Sequence, residues 1–338
     1  MNARIKAISY YLPEEVLDNE KINQEFPEWS ADKISSKTGI YQRHIAGKDE
    51  FSSDMAIKAS QKVFEEYQID PRSIDYILLC TQSPDYLLPT TACIVQDKLG
   101  IPTTAGALDF NLGCSGYIYG LSIAKGLIAA NIARNILLIT SETYSKYIHE
   151  KDKSNKTIFG DAASASLITG DGEGLEIEDF CLGTDGRGAE NLIVKRGGSR
   201  YPVSGVKEIV ADEYGNYTNE DSLYMNGSEI FNFTIGAVPG LINNTLKKNN
   251  KQLSDIDLFV FHQANKYMLN HLRKKIGIDE QKFLYYLENC GNTVSSSIPI
   301  VLNEAMVQNM IKPGMSVLLA GFGVGYSWGG CILKANDK

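Results

Sequence analysis

At 338 residues the chain is long for one ordinary module, and at roughly 150 residues per domain it makes about two domains or one large fused unit. A core of that size stands without metal or disulfide staples. Its 43% hydrophobic and 22% charged residues exclude extended disorder and fibrous repeats, and a formal net charge of -8 argues against a general nucleic-acid binder, which needs a basic surface.

Residues 1–11 carry charges where a signal peptide needs an unbroken apolar segment, and no small-residue cleavage site follows. They read as an opening strand of a cytoplasmic protein. Short β-rich runs then alternate with helical segments: Tyr76–Cys80, 107–110, 136–140, Leu258–Phe261 and 317–320. Continuous apolar strands of this kind belong to sheets covered on both faces, hence α/β layering. The longest apolar stretch, 118–130, is broken by Lys125 and falls short of the roughly 20 residues that span a bilayer. The six cysteines (Cys80, Cys93, Cys114, Cys181, Cys290 and Cys331) lie far apart, which is the pattern of reduced thiols rather than of a zinc site or disulfide scaffold.

The chain also resembles itself. Residues 73–82, Ser-Ile-Asp-Tyr-Ile-Leu-Leu-Cys-Thr-Gln, lead through a helical segment to Lys98-Leu-Gly-Ile; residues 255–263, Asp-Ile-Asp-Leu-Phe-Val-Phe-His-Gln, lead similarly to Lys275-Ile-Gly-Ile. In each copy an Ile-Asp pair opens a buried strand, the strand tip turns polar, and a helix closes on glycine. Residues 135–140 with 160–169 correspond in the same way to 316–320 with 325–333. The seam falls in Gly-Asp-Gly-Glu-Gly at 170–174. Two such halves packed together would meet at a cleft formed by their strand ends.

Four features of those strand ends carry chemistry. Cys114, within Asn-Leu-Gly-Cys-Ser-Gly at 111–116, stands between a strand and a long helix. Free amides and the helix dipole there favour a thiolate by about 0.3 to 2 kcal/mol, so a lowered thiol pKa is expected. Most buried cysteines are inert packing, so the assignment turns on a partner. His262, in His-Gln-Ala-Asn at 262–265, interrupts an apolar strand at its tip and is one of only four histidines. Asn292 follows a glycine and leads into Thr-Val-Ser-Ser-Ser and a helical segment. The glycine-dense run 320–330 is no dinucleotide fingerprint, because a Tyr-Ser-Trp strand rather than a helix follows it. It marks close approach of backbone to a ligand or to a facing sheet.

Gly-Cys-Ser-Gly, His-Gln-Ala-Asn, Gly-Asn-Thr and Gly-Phe-Gly-Val-Gly, in this order and spacing, resemble the β-ketoacyl-acyl carrier protein synthase III family. Thr38-Gly-Ile, Phe159-Gly-Asp-Ala and Lys312-Pro-Gly match as well, and the resemblance spans essentially the whole chain. It implies an α/β protein of thiolase-like fold, with two duplicated halves in a five-layered α/β/α/β/α arrangement, normally a homodimer. The halves would be 1–172, with the nucleophilic cysteine, and 173–338, with the histidine and asparagine. The implied enzyme is an acyltransferase. An acyl group passes from acyl-CoA or acyl-carrier protein to Cys114; malonyl-acyl carrier protein then loses carbon dioxide and condenses with it, giving a 3-oxoacyl-carrier protein. His262 and Asn292 would stabilise the enolate, and the Cys114 N–H with an amide of the glycine turn, that of Val324, would form the oxyanion hole. No permanently bound cofactor and no metal are implied, coenzyme A or phosphopantetheine thioesters being substrates.

Departures from the family pattern bear on substrate. The adenine-stacking Trp and Arg correspond to Lys33 and Lys37, and the Arg after Ile40 to Tyr41, which implies lost stacking and leaves lysines for CoA phosphates. Leu88 takes the place of the bulky aromatic of the acyl pocket, and Phe231 and Asn265 are further implied substrate contacts. Val324 replaces a glycine. Because carrier proteins are acidic, docking calls for a basic surface, for which Arg273, Lys274 and Lys275 are the candidates. Three alternatives stand beside condensation: acyl transfer to a hydroxyl or amine with His262 as general base, a Cys-His thioester hydrolase, and a non-catalytic binding homologue.

Overall fold

Apolar runs with no polar alternation need cover on both faces, and the fold supplies it. A computed structural model of the chain describes residues 2–203, 209–211 and 215–336. Nine strands pair edge to edge: β1 Arg4–Tyr11, β2 Tyr76–Cys80, β3 Gly106–Phe110, β4 Asn135–Glu142, β5 Ala162–Thr169, β6 Leu175–Thr184, β7 Leu258–Phe261, β8 Ser316–Gly323 and β9 Ser327–Ala335. The runs read from sequence are all strands. The third runs on past its apolar residues because its polar tip stays in the ladder, Ser141 and Glu142 pairing with Ala163 and Ala162, and the last continues to Gly323, which pairs with Ser327.

The strand order is β3-β2-β4-β5-β1-β6-β9-β8-β7. β3, β2 and β4 are parallel, while β5 and β1 follow antiparallel. On the other side β7 and β8 are parallel and β9 and β6 follow antiparallel, with a parallel bridge from Phe259 to Phe283 where β3 stands in the first set. The pairing pattern therefore repeats. In the sheet ladder the two sets join where Arg4 stands opposite Glu176 and Ile5 opposite Leu175, clamped by an Arg4–Glu176 ion pair of 2.8 Å.

Seven helices supply the cover: α1 Ala31–Thr38, α2 Ser52–Glu66, α3 Thr91–Lys98, α4 Gly116–Ala129, α5 Gly227–Lys248, α6 Lys266–Ile276 and α7 Ser297–Val307. Tyr117, Ile118 and Leu121 of α4 and Ile298, Val301 and Leu302 of α7 pack between the sheets, against Leu78 and Leu138 on one side and Val260 and Leu319 on the other. Alternate residues of the same strands face outward. Ile77, Leu79 and Leu137 meet Met55, Ala59 and Val63 of α2, and Phe259, Phe261 and Leu318 meet Leu241 and Ile242 of α5 and Leu269 of α6. The result is the five-layered α/β/α/β/α stack. At about 1.5–3 kcal/mol for each fully buried large aliphatic or aromatic side chain, this double-sided burial dominates the stability of the fold. Helix α6 ends on Gly277 at φ +84, the left-handed cap foreseen for the second copy. Among the described residues, no helix is long and apolar enough to cross a membrane.

Candidate active site

Strand ends and helix starts from both sets meet at one buried cavity of about 120 Å³, which Cys114, His262 and Asn292 line together with Phe159, Leu192, Met225, Ile230, Phe322 and Gly323.

Cys114 precedes Ser115, the residue that caps α4, and is 6% exposed. Backbone from β8 lies directly against it. A Cβ on Gly323 would stand 2.8 Å from the cysteine Sγ, and one on Gly321 would stand 2.8 Å from its carbonyl oxygen, so a side chain there would displace the cysteine. The N–H groups of Cys114 itself and of Val324 act on the sulfur, the two amides expected to form the oxyanion hole. Those amides lower the thiol pKa, yet burial, followed by the nearby Glu142 charge, outweighs them and pushes it up to about 12. The expectation of a resting thiolate is thereby corrected: desolvation of a fully enclosed sulfur exceeds what a helix terminus returns.

His262 sits just past β7, where its N–H donates to the Ala320 carbonyl at 2.8 Å. Its Nδ1 lies 2.7 Å from the Ser297 hydroxyl, the first residue of α7, and its ring packs edge-on to Phe322 with centroids 5.8 Å apart. Burial lowers its pKa to about 3, so the imidazole is neutral at neutral pH.

Asn292 is held as a strand residue would be. Its N–H donates to Ile158 at 2.9 Å and its carbonyl accepts from Gly160 at 3.0 Å. Its side-chain Oδ1 accepts the Val294 N–H at 2.9 Å, and Val294 itself stands at a left-handed φ of +53. With the oxygen so engaged, the amide Nδ2 is the atom left for the cavity. The carboxamide is thus oriented as a donor.

The outer assignments fare unevenly. Asn265 lines the cavity and also caps α6, its Oδ1 accepting the Met268 N–H at 2.8 Å. Phe231 lies beside the cavity residue Ile230 and stacks on Tyr267 at 5.9 Å. Lys33 and Lys37 are exposed on α1, and sequence reasoning missed what joins them: the ring of Trp29 lies 5.4 Å and 5.7 Å from the two ammonium groups. An aromatic surface is therefore present one helical turn ahead of the position where it was sought. Leu88 does not line the cavity of its own chain, being 83% exposed on the loop after β2. Arg273 is corrected as a docking residue. It is 9% exposed, and its guanidinium donates to the Ile278 carbonyl and to Glu280, because the inward side of α6 carries it under the following turn. Lys274 and Lys275 remain exposed. Ser297 and Glu142 were also missed. Their only sequence signals were a hydroxyl cluster at 295–297 and a carboxylate ending an apolar strand.

These features place the protein among the thiolase-like acyltransferases. The family described as 3-oxoacyl-[acyl-carrier-protein (ACP)] synthase III matches residues 108–186, and its C-terminal counterpart matches residues 246–335. A beta-ketoacyl-[acyl-carrier-protein] synthase III of Clostridium perfringens is 36% identical over 333 residues, 98% of this chain and 99% of that protein. One from Clostridioides difficile is 38% identical, with 98% of each chain covered. A crystal structure of a 3-oxoacyl-(acyl-carrier-protein) synthase III superposes with a TM-score of 0.96 at 48% identity, covering 99% of this chain and 100% of that one. The chain belongs to the 3-oxoacyl-acyl-carrier-protein synthase III family, and is a condensing acyltransferase of the fatty-acid type.

Proposed function

We propose that the protein joins an acyl group to a malonyl unit on a carrier protein, with Cys114 as the nucleophile. The observation that carries this reading is the convergence of Cys114, His262 and the donor-oriented Asn292 on one buried cavity. In the first step the Cys114 sulfur bonds to the acyl carbon of a thioester and the carbon–sulfur bond to CoA, or to the carrier's phosphopantetheine, breaks. Because Cys114 rests as a thiol beside a neutral imidazole, its proton passes through the His262 ring to the departing sulfur. No ion pair need be stored beforehand.

In the second step malonyl-carrier protein loses carbon dioxide, and the electron pair left behind spreads onto its thioester oxygen. A proton of the His262 ring and the Asn292 amide donate to that oxygen, where donors in an enclosed site act most strongly. The carbanion forms the new carbon–carbon bond at the acyl-Cys114 carbonyl. The oxyanion there is held by the Cys114 and Val324 N–H groups, and collapse releases the thiolate, which takes up one proton. Mass spectrometry of the intact protein after incubation with a panel of acyl-CoA and acyl-carrier thioesters tests the first step through the mass gained on Cys114. Carbon dioxide release from malonyl-carrier protein tests the second. An active protein that transfers acyl groups without releasing carbon dioxide would favour a hydroxyl or amine acceptor instead.

The same reading covers the surroundings. Trp29 with Lys33 and Lys37 offers a ring and two cations to the nucleotide end of CoA. Lys274 and Lys275 face an acidic carrier protein. The exposed Leu87 and Leu88, at 86% and 83%, favour a homodimer in which this loop reaches a second copy and Leu88 borders that copy's acyl cavity. The seam between the halves falls at 172/173, and the protein works in the cytoplasm.

A further inference from the structure

Behind Cys114 lies a set of buried groups that the reaction above leaves unused. Glu142, the last residue of β4, is fully buried. Its Oε1 accepts the Ser295 hydroxyl at 2.7 Å, and its Oε2 accepts the Gln82 N–H at 3.0 Å and the Ser83 hydroxyl at 3.4 Å. Ser295 belongs to the turn that carries Asn292. Gln82 opens the loop after β2, accepts the Tyr144 hydroxyl, and donates through Nε2 to Asn111 Oδ1 at 3.0 Å, on the segment that leads into Cys114. One carboxyl therefore ties the turn of the carboxamide donor to the loop of the nucleophile.

An apolar side chain would fill the same space, whereas a carboxyl brings a proton and a charge to the back of a cysteine. The titratable groups that face it are Cys80 at the end of β2, Cys114 before α4, Tyr144 and Tyr147 after β4, and Asp161 before β5. Lys146 donates to the Gly47 and Lys48 carbonyls at 2.9 and 3.0 Å, and its charge is felt at Asp161. Burial pushes the Glu142 carboxyl up to about 8, and its charge is the largest influence after burial that raises the Cys114 thiol.

We propose that Glu142 is a positioning residue that holds the Asn292 turn against the Cys114 loop and, by being protonated or charged, sets how readily Cys114 gives up its proton. This rests on Cys114 being the nucleophile of the proposed reaction. Glu142→Gln mimics the protonated acid and keeps an acceptor for the Gln82 N–H. The rate of iodoacetamide alkylation at the Cys114 peptide, followed by mass spectrometry from about pH 6 to about pH 10, reads the effect without any thioester. The two proteins should react alike well below the Glu142 pKa of about 8. Above it the variant should react about tenfold faster, the equivalent of one pKa unit of relief. A rate ratio that does not change with pH overturns the proposal, since a purely structural role moves all points together.

Should Glu142→Gln fail to fold, Ser295→Ala gives the second measurement. It removes a hydrogen bond that favours the charged carboxyl, so the slowing of Cys114 alkylation should begin at higher pH; an unmoved onset refutes the assignment. Acyl capture on Cys114 of the unaltered protein is scored separately. Its failure would remove the proposed function while the alkylation profile still decides the role of Glu142.

Discussion

Gly323 offers the sharpest test of how Cys114, the proposed nucleophile, is held. A methyl group there would stand 2.8 Å from both Cβ and Sγ of Cys114, whereas ordinary contact begins at 3.4 Å. Gly323→Ala must therefore move the sulfur by at least 0.6 Å, and by about 1 Å to reach the carbon contact optimum near 3.5–4.0 Å. Little retreat is open to it, because β8 also packs against the carbonyl side of Cys114, where an added Cβ on Gly321 would stand 2.8 Å from the oxygen. Two costs follow and can be measured apart. Overpacking should lower stability by about 1–3 kcal/mol, read from denaturant unfolding. Misplacing a reacting atom by about 1 Å should slow acyl capture by about a hundredfold, which is about 2.7 kcal/mol of barrier, read from single-turnover mass gain on Cys114. Gly126→Ala is the control. It lies inside α4 with nothing within 4 Å of its added Cβ, and should gain about 0.5–1 kcal/mol from helix propensity. A folded Gly323→Ala protein that captures acyl groups at the unaltered rate would refute both the closeness of β8 to the sulfur and the role given to Cys114.

Asn292→Asp keeps an oxygen for the Val294 N–H but turns an acceptor toward the enolate. Acyl capture should persist while decarboxylation falls by about 10²–10³, and full condensation by this variant would remove Asn292 from the mechanism. His262, with its pKa lowered to about 3, should leave no inflection near the ordinary imidazole value of about 6.5 in the decarboxylation rate. Unfolded His262 binds a proton below that value and folded His262 does not, so this residue contributes a loss of stability as pH falls from about 6.5 toward about 3. The slope should be shallower in His262→Ala, and equal slopes would show the ring to be freely solvated. Leu192 lines the narrow cavity of about 120 Å³ beside Cys114. Capture of longer acyl groups should therefore rise relative to short ones in Leu192→Ala, read across a substrate panel; an unchanged chain-length profile would show that this wall does not bound the acyl group. Lys274→Glu with Lys275→Glu should raise KM for carrier-protein substrates well above any change for a small thioester, and equal changes would place docking elsewhere.

What could be read from sequence divides along a physical line. Strand positions and the duplicated pattern were legible because burial on both faces leaves runs such as Ile-Leu-Leu and Phe-Val-Phe that no surface element tolerates. That Cys114, His262 and Asn292 belong together at one cavity was legible because a histidine at the tip of such a run, a cysteine between glycines and an asparagine after a glycine are costly choices for packing alone. What stayed hidden depends on distances between segments far apart in the chain. The helix start at Cys114 is local and argues for a thiolate; the enclosure that reverses this comes from Gly323, Phe322 and Glu142, which no window around Cys114 contains. Arg273 read as surface because its neighbours Lys274 and Lys275 are, yet an adjacent helix position is turned by about 100°, enough to carry its guanidinium under the Ile278–Glu280 turn. The orientation of Asn292 rests on the Val294 N–H, and Val294 is itself left-handed, a conformation that propensity would not give a β-branched side chain. Strain of that kind persists only where the surrounding structure fixes it. The Ser295–Glu142 bond lies one residue on, and so the turn that orients the carboxamide is tied to the carboxyl behind the cysteine.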